Sequence, residues 1–100
     1  MWLYGDWMFE VSRLHGKKVI TTDAFNVGEV SEAVMDDNWK ITHIHVNLTK
    51  EATRELSFKK PILGHIAICL PVDYVKGFAD VITLNKTREE LKGIPECKGT

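Results

Sequence analysis

Three strand-like runs follow one another closely in the first half of the chain. They cover residues 18–22, 28–35 and 39–48, and each is rich in β-branched or other apolar residues. The connections between them are short and contain the turn formers Asp and Asn. A parallel crossover needs a dozen or more residues, so connections this short predict antiparallel neighbours. The pattern therefore predicts a β-meander of three strands.

The third run contains a break in its alternation that predicts a bend. Trp39 and Ile41 share one parity, whereas Ile44, Val46 and Leu48 share the other. Strict alternation would place the two groups on opposite faces of the sheet. A one-residue β-bulge near residues 42–43 would return all five side chains to the core side. Because such bulges bend strands around small barrels, we expect this strand to be strongly coiled.

Further elements are predicted on either side of this meander. Residues 9–14 are expected to form a short lead-in strand. Residues 49–56 switch to helix formers and predict a short helix, with Thr49 as its N-cap. Residues 62–70 and 80–84 predict two more strands, and residues 72–75 a helical turn between them.

Local signals add detail to these elements. Thr87 and Glu90 have the spacing of a capping box, which predicts a second short helix. Asn26 lies where the loop could need positive φ, and Gly28 suits a bend or a close backbone approach. The large apolar side chains of the strands are expected to form one core. The predicted core residues are Trp39, Ile44, Val46, Leu48, Ile68, Leu70 and Ile82.

Length and charge narrow the function classes. The chain of 100 residues fits one domain, and its formal charge of −1 gives no global attraction to nucleic acid or anionic lipid. Charge is uneven, with three basic against seven acidic residues in 1–39 and six against three in 40–76. This asymmetry could help two copies or a partner find a register, although a solvated surface is the commoner reason for such a pattern.

The apolar runs and the cysteines of the sequence predict the cellular compartment. It shows neither an apolar run near the roughly 20 residues that cross a bilayer nor a secretory signal. Cys69 lies in an apolar run and is expected to be a buried small hydrophobe, whereas Cys97 lies in a polar tail. Two cysteines so far apart do not form a secreted disulfide framework. We therefore expect an intracellular, cytoplasmic protein.

The N-terminus concentrates aromatic residues. Trp2, Tyr4, Trp7 and Phe9 are four of the nine aromatics in the chain, and they are surplus to a core that residues 16–84 can fill. One interpretation is an extended or misassigned N-terminus that packs loosely on its own barrel. The other is an arm that docks on another surface. The second predicts self-association, most simply as a homodimer, because a second copy would remove the apolar patch from water.

The ordered motifs resemble those of the PRC-barrel family, which is named for the reaction-centre H subunit and shared with a ribosome maturation factor. The similarity covers residues 12–92 and is greatest to short stand-alone archaeal members. It leaves residues 1–11 as an aromatic arm and 93–100 as a tail. One departure is Ala79, where the family often has glycine. The residues that carry the resemblance are Leu14, Gly16, Lys17, Val19, Ile20, Val27, Gly28, Val30, Trp39, Ile41, Ile44, Val46, Leu48, Lys60, Pro61, Ile62, Leu63, Gly64, Ile68, Leu70, Pro71, Val75, Asp80, Ile82 and Leu84.

The resemblance implies a mainly β, single-domain small barrel of five or six bent antiparallel strands with two short helices. It implies a non-catalytic protein-interaction or assembly module and carries over no catalytic residue. Two alternatives follow from roles within the family. One is an accessory protein in RNA processing or ribosome maturation, and the other is a component of an archaeal cell-division complex.

Candidate chemistry is sparse. His43 and His45 could share a strand face with His65 or Cys69 nearby, but zinc needs three or four converging ligands and the expected bulge would rotate His43 away. The serines lack a flanking nucleophile motif, and the glycines are too isolated for a phosphate loop. We therefore expect no catalytic, cofactor-binding or metal-binding residues.

Nucleic-acid binding is the alternative from a different class. Lys50, Arg54, Lys59 and Lys60 form a basic strip that could contact phosphate. No aromatic stacking residues interleave with the strip, and neighbouring glutamates dilute its charge. The sequence thus favours a mixed, solvated helix over an RNA-binding surface.

Overall fold

The structure is a computed structural model that describes residues 11–59, 64 and 66–95, with side chains from residue 13 onward. Within these residues it contains six strands and four short helices. The helices are three 3-10 turns, Val11–Leu14, Val72–Tyr74 and Glu89–Leu91, and one α-helix, α1 (Lys50–Glu55). The strands are β1 (Lys18–Ile20), β2 (Asn26–Met35), β3 (Ile41–Leu48), β4 (Ala67–Pro71), β5 (Val75–Phe78) and β6 (Ile82–Leu84).

All six strands belong to one sheet with the order β4-β3-β2-β1-β6-β5. The meander β1-β2-β3 is antiparallel as expected, and β4 and β5 add antiparallel partners at the two ends. The sheet does not close, because β4 and β5 remain its edges. The expectation that every strand pair is antiparallel is wrong for β1 and β6, which run parallel with Val19 opposite Ile82.

The bend predicted in β3 is present. Val34 of β2 pairs with His43, whereas Met35 pairs with Ile41, so Thr42 is the extra residue of a bulge. A second irregularity between Val30 and Glu32 places an extra residue in β2. The hairpin of β2 and β3, the longest in the sheet, therefore has one extra residue in each strand, and these two bulges bend it over the core.

One continuous core lies under this bent sheet. Six of the seven predicted core residues are buried, and Trp39 is the exception at 84% exposed. The Thr42 bulge returns Ile41 to the core side, where it packs half-buried. Trp39 lies before β3, in the connecting loop, so strand alternation does not apply to it. The buried core consists of Leu14, Val19, Val27, Val30, Ile44, Val46, Leu48, Ala52, Leu56, Ile66, Ile68, Leu70, Ile82, Leu84 and Leu91.

The helix α1 has a complete cap at each end. At its start the Thr49 hydroxyl accepts a hydrogen bond from the Ala52 backbone N–H at 2.9 Å, as predicted. At its end Ser57 N–H donates to the Arg54 carbonyl and Phe58 N–H donates to the Thr53 carbonyl. These two bonds form a Schellman motif, in which Ser57 takes the left-handed position with φ of 66°.

The C-terminal segment is tied to the β1–β2 loop. The predicted capping box is present, with Glu90 accepting from Thr87 N–H at 2.8 Å and Glu90 N–H donating back to the Thr87 hydroxyl at 3.2 Å. The Asp23 carboxylate accepts from Arg88 N–H at 3.2 Å. The helix here is a single 3-10 turn, which brings Leu91 into the core.

Three local expectations are corrected. Residues 11–14 of the expected lead-in strand form a 3-10 turn, whereas residues 9 and 10 lie outside the described residues. The expected helical turn over residues 72–75 ends at Tyr74, and Val75 begins β5, a strand that the sequence analysis does not predict. Positive φ in the β1–β2 loop falls on Ala24, at 65°, and not on Asn26.

Candidate interaction surfaces

The residues predicted for interaction, Trp2, Tyr4, Trp7 and Phe9, lie outside the described residues. The described residues present two other surfaces. One is at the β2–β3 connection and the other is beside α1, so they lie at opposite ends of β3.

The first surface is the hairpin tip, residues 36–40. Its loop is a tight turn in which Trp39 N–H donates to the Asp36 carbonyl and Asp36 N–H donates to the Lys40 carbonyl. The Asp36 carboxylate also accepts from the backbone N–H groups of Asn38 and Lys40, at 2.8 and 3.0 Å. Trp39 has a φ of 64°, in the left-handed position where hairpin loops of this length usually carry glycine. An ordered turn therefore presents an indole to solvent.

Two more apolar side chains lie at this end of the sheet. Met35 ends β2 opposite Ile41, and Val72 follows Pro71, which pairs with His43 on the other side of β3. Met35 and Val72 are both more than a third exposed. With Trp39 they place three exposed apolar side chains at this end of the sheet, and exposed apolar patches are a mark of interaction sites.

The second surface is the α1 cleft, an open depression of about 590 Å³. The half-buried ring of Phe58 and the buried Thr53 form its apolar part. The cationic side chains and the exposed Ser57 form its rim. The lining residues are Lys50, Thr53, Arg54, Ser57, Phe58 and Lys59.

The helix separates its charges by face. Lys50, Thr53 and Arg54 share the cleft side of the helix, since residues three and four apart lie on one face. Glu55 points elsewhere, to Arg88, with a nitrogen–oxygen distance of 3.4 Å. Among the residues described, no ion pair involves Lys50, Arg54 or Lys59. Neither Glu51 nor Glu55 lines the cleft.

The histidines of β3 lie on the outer face of the sheet. The β3–β4 ladder is regular from His43 to Asn47, so the bulge at Thr42 does not rotate His43 away from His45, contrary to expectation. His45 Nδ1 is 3.7 Å from a Glu32 carboxylate oxygen. Among the described residues, no group of three or more His, Cys, Asp or Glu is placed to hold a metal ion, and His65 is outside that set.

Cys69 lies opposite His45 in β4, half-buried and disulfide-bonded. The expectation of a buried, inert thiol is wrong. The other cysteine of the sequence, Cys97, is outside the described residues.

The sequence signals identify these surfaces only in part. The lysines and arginine of the cleft were recognisable as a basic strip, but Phe58 carried no signal that it would line a depression. Trp39 looked like a core residue because its residue type is apolar. The sequence did contain a signal that Trp39 belongs to a loop. It is preceded by Asp36, Asp37 and Asn38, and residues of these types mark loop tips.

The chain matches the model of one protein family. The PRC-barrel domain matches residues 7–91 of the chain. A search of curated proteins finds no match. None of the helices in the described part of the chain has the length and apolar character needed to span a bilayer.

Proposed function

The chain belongs to the PRC-barrel family, and from this premise we propose that it is a non-catalytic protein-interaction or assembly module. The observation that carries the proposal is the hairpin tip. An indole that is 84% exposed on a hydrogen-bonded turn is costly to leave in water, and tryptophan is the residue type most enriched at binding hot spots. The family fold supplies a rigid support for such a surface.

Affinity purification from the native host tests this proposal. The wild-type chain and Trp39→Gly are used as paired baits, because glycine accepts the φ of 64° at this position and keeps the turn. A partner retained by the wild type and lost by Trp39→Gly supports the proposal. Turnover of a substrate by the pure chain, with no difference between the two baits, would contradict it.

We further propose that the module self-associates as a homodimer in the cytoplasm and that the arm residues Trp2, Tyr4, Trp7 and Phe9 contribute to it. Sedimentation of the full chain beside a chain starting at Met8 tests the arm. A dimer that becomes monomeric on truncation supports the role of the arm. A dimer that survives truncation places the interface on the barrel, and a monomer at high micromolar concentration contradicts self-association.

A second function is favoured by the α1 cleft. Three cations without ion pairs among the described residues, Lys50, Arg54 and Lys59, could contact phosphate in an RNA-processing or ribosomal complex. Filter binding of a structured RNA across salt concentrations tests this, because phosphate contacts weaken steeply as salt rises. Binding that is insensitive to both salt and Arg54→Glu would contradict it. Division proteins among the purified partners would instead favour the cell-division role.

A further inference from the structure

The two surfaces of the chain are complementary to one another in charge and chemistry. The hairpin tip carries the Asp36 and Asp37 carboxylates, one ammonium at Lys40 and the exposed indole of Trp39. The α1 cleft carries three cations around the ring of Phe58. We propose that the hairpin tip of one copy docks in the α1 cleft of a second copy. This inference rests on the proposed self-association and assigns it an interface.

The position of the surfaces determines the symmetry of the assembly. They lie at opposite ends of β3, whose eight residues span about 25 Å. A chain therefore cannot place its own tip in its own cleft. In two copies that lie side by side and antiparallel, the tip of each copy enters the cleft of the other. The two contacts are related by a two-fold axis, so the assembly closes as a dimer. A head-to-tail contact would leave one tip and one cleft open.

The chemistry of the contact follows from the lining of the cleft. The Trp39 indole packs against the Phe58 ring and the aliphatic stems of the flanking lysines, and Arg54 is placed to lie over an aromatic face. Asp37 makes no hydrogen bond or ion pair with the described residues, so its carboxylate remains available to the cations of the cleft rim. Docking pairs charges that the isolated chain leaves unpaired.

Backbone conformation supports the same two surfaces. Of the three described non-glycine residues with positive φ, Trp39 forms the tip and Ser57 lines the cleft. Non-glycine residues held in this backbone region cluster at functional sites such as ligand clamps. At the tip, the strain holds an indole where glycine would be easier to accommodate.

The test is sedimentation velocity of the full chain at low salt, over concentrations that bracket the dissociation constant. For Trp39→Gly the dimer dissociation constant is expected to rise about 30-fold, the loss typical of a hot-spot residue. Asp37→Lys and Arg54→Glu should each raise it by about two- to five-fold, as for exposed ion pairs. The double variant Asp37→Lys/Arg54→Glu should recover most of this loss, because the reversed charges attract again.

Matched controls separate the contact from general charge effects. Asp80→Lys and Lys76→Glu make the same charge changes at exposed positions of the β5–β6 hairpin that belong to neither the tip nor the cleft lining, so they should leave the dissociation constant unchanged. The thermal midpoint of Trp39→Gly, measured below the dissociation constant, should not fall. A lowered midpoint together with altered circular dichroism would assign the loss to misfolding and overturn the assignment to contact.

A mixing experiment tests the reciprocity. Trp39→Gly has an intact cleft and Arg54→Glu an intact tip, so a mixed pair retains one full contact, whereas neither variant paired with itself retains any. A mixed dimer with a lower dissociation constant than the Trp39→Gly homodimer supports the proposal. A wild-type dimer whose dissociation constant is unchanged by Trp39→Gly overturns this interface while leaving self-association intact. A wild-type monomer overturns both.

Discussion

Among the described glycines, Gly28 lies closest to the backbone of a neighbouring strand. A Cβ at this position would lie 2.0 Å from the Asn47 carbonyl oxygen and 2.8 Å from its carbon. Both atoms belong to β3, which is fixed between β2 and β4, so neither can move away cheaply. The glycine is what allows the two longest strands to approach at the start of β2.

We therefore predict that Gly28→Ala destabilises the fold by about 3 kcal/mol or more, as expected for a buried steric overlap. Chemical denaturation of the purified variant measures this. Gly77→Ala in β5 is the matched control, because a Cβ there meets nothing within 4 Å. Equal stability of the two variants would show that β2 and β3 do not approach in this way.

Ser57 is a position where a change to glycine, and not away from it, should stabilise the fold. Its φ of 66° is strained for any residue with a Cβ, and the Schellman motif usually places glycine there. Ser57→Gly should raise the free energy of unfolding by about 0.5–1 kcal/mol. Ala33→Gly, at an ordinary position in β2, should lower it by a similar amount. A loss of stability in Ser57→Gly would mean that the serine side chain is needed.

The residue scale is also where prediction from sequence fails most clearly. Ile44, Val46 and Ile82 were recognisable as core because alternation and residue type agree with their burial. Trp39 has the same apolar character, but a positive φ at a loop tip points it outward. The sequence pattern shows which side chains are hydrophobic and how they are spaced. It does not show the backbone conformation of this turn, which is set by the hydrogen bonds that Asp36 accepts.

At the scale of elements, hydrogen bonds tie the β1–β2 loop to residues 86–88, which follow β6. The Thr21 hydroxyl donates to the Asp23 carboxylate and accepts from Phe25 N–H at 3.0 Å. Thr22 N–H donates to the Lys86 carbonyl at 3.0 Å. The hydrogen bond from Thr21 holds the pKa of Asp23 below its usual value of 3.8. Partial desolvation opposes this, and the Arg88 N–H supports it.

This loop makes stability depend on pH in a defined direction. A pKa lowered by folding means that Asp23 stabilises the fold above its unfolded pKa, and that this contribution is lost as pH falls through the folded pKa. The difference in denaturation midpoint between wild type and Asp23→Asn should therefore be present near neutral pH, begin to fall as the pH drops below 3.8, and vanish below the lowered pKa of the folded state. Thr21→Val should remove most of this pH dependence. A difference that persists in acid would contradict the role of the carboxylate.

The parallel pair β1–β6 is the element least accessible to sequence analysis. Its strands have three residues each and are separated by more than 60 residues, so no turn signal links them. β5 was missed for a related reason, because Gly77 and Lys76 interrupt its apolar pattern. By contrast, α1 and the meander were predictable, since caps and short connections are local.

The burial of Ile82 allows the pairing of β1 with β6 to be tested directly. Ile82 is buried in β6 and pairs with Val19 across the parallel ladder. Ile82→Ala should cost about 2–5 kcal/mol through lost contacts and the cavity left behind. Trp39→Ala, although it removes a larger side chain, should cost far less because that side chain is exposed. An unmoved thermal midpoint for Ile82→Ala would mean that the β1–β6 register is wrong.

At the scale of the whole molecule, the Cys69 disulfide links stability to the redox environment. Cys69 lies in β4, an edge strand, and among the described cysteines there is no free thiol. Disulfides persist in oxidising surroundings and are rare in most cytosolic proteins. The thiol state of Cys69 in protein purified from its host therefore tests the cytoplasmic location predicted from the sequence.

We predict that protein purified with alkylation and without reductant exposes no reactive thiol when denatured. Reduction, or Cys69→Ser, should lower the free energy of unfolding by about 2–4 kcal/mol, the usual contribution of a disulfide. Non-reducing electrophoresis distinguishes a bond within one chain, which runs as a single copy, from one that joins two copies. Two reactive thiols per chain in protein taken directly from its host would contradict the disulfide.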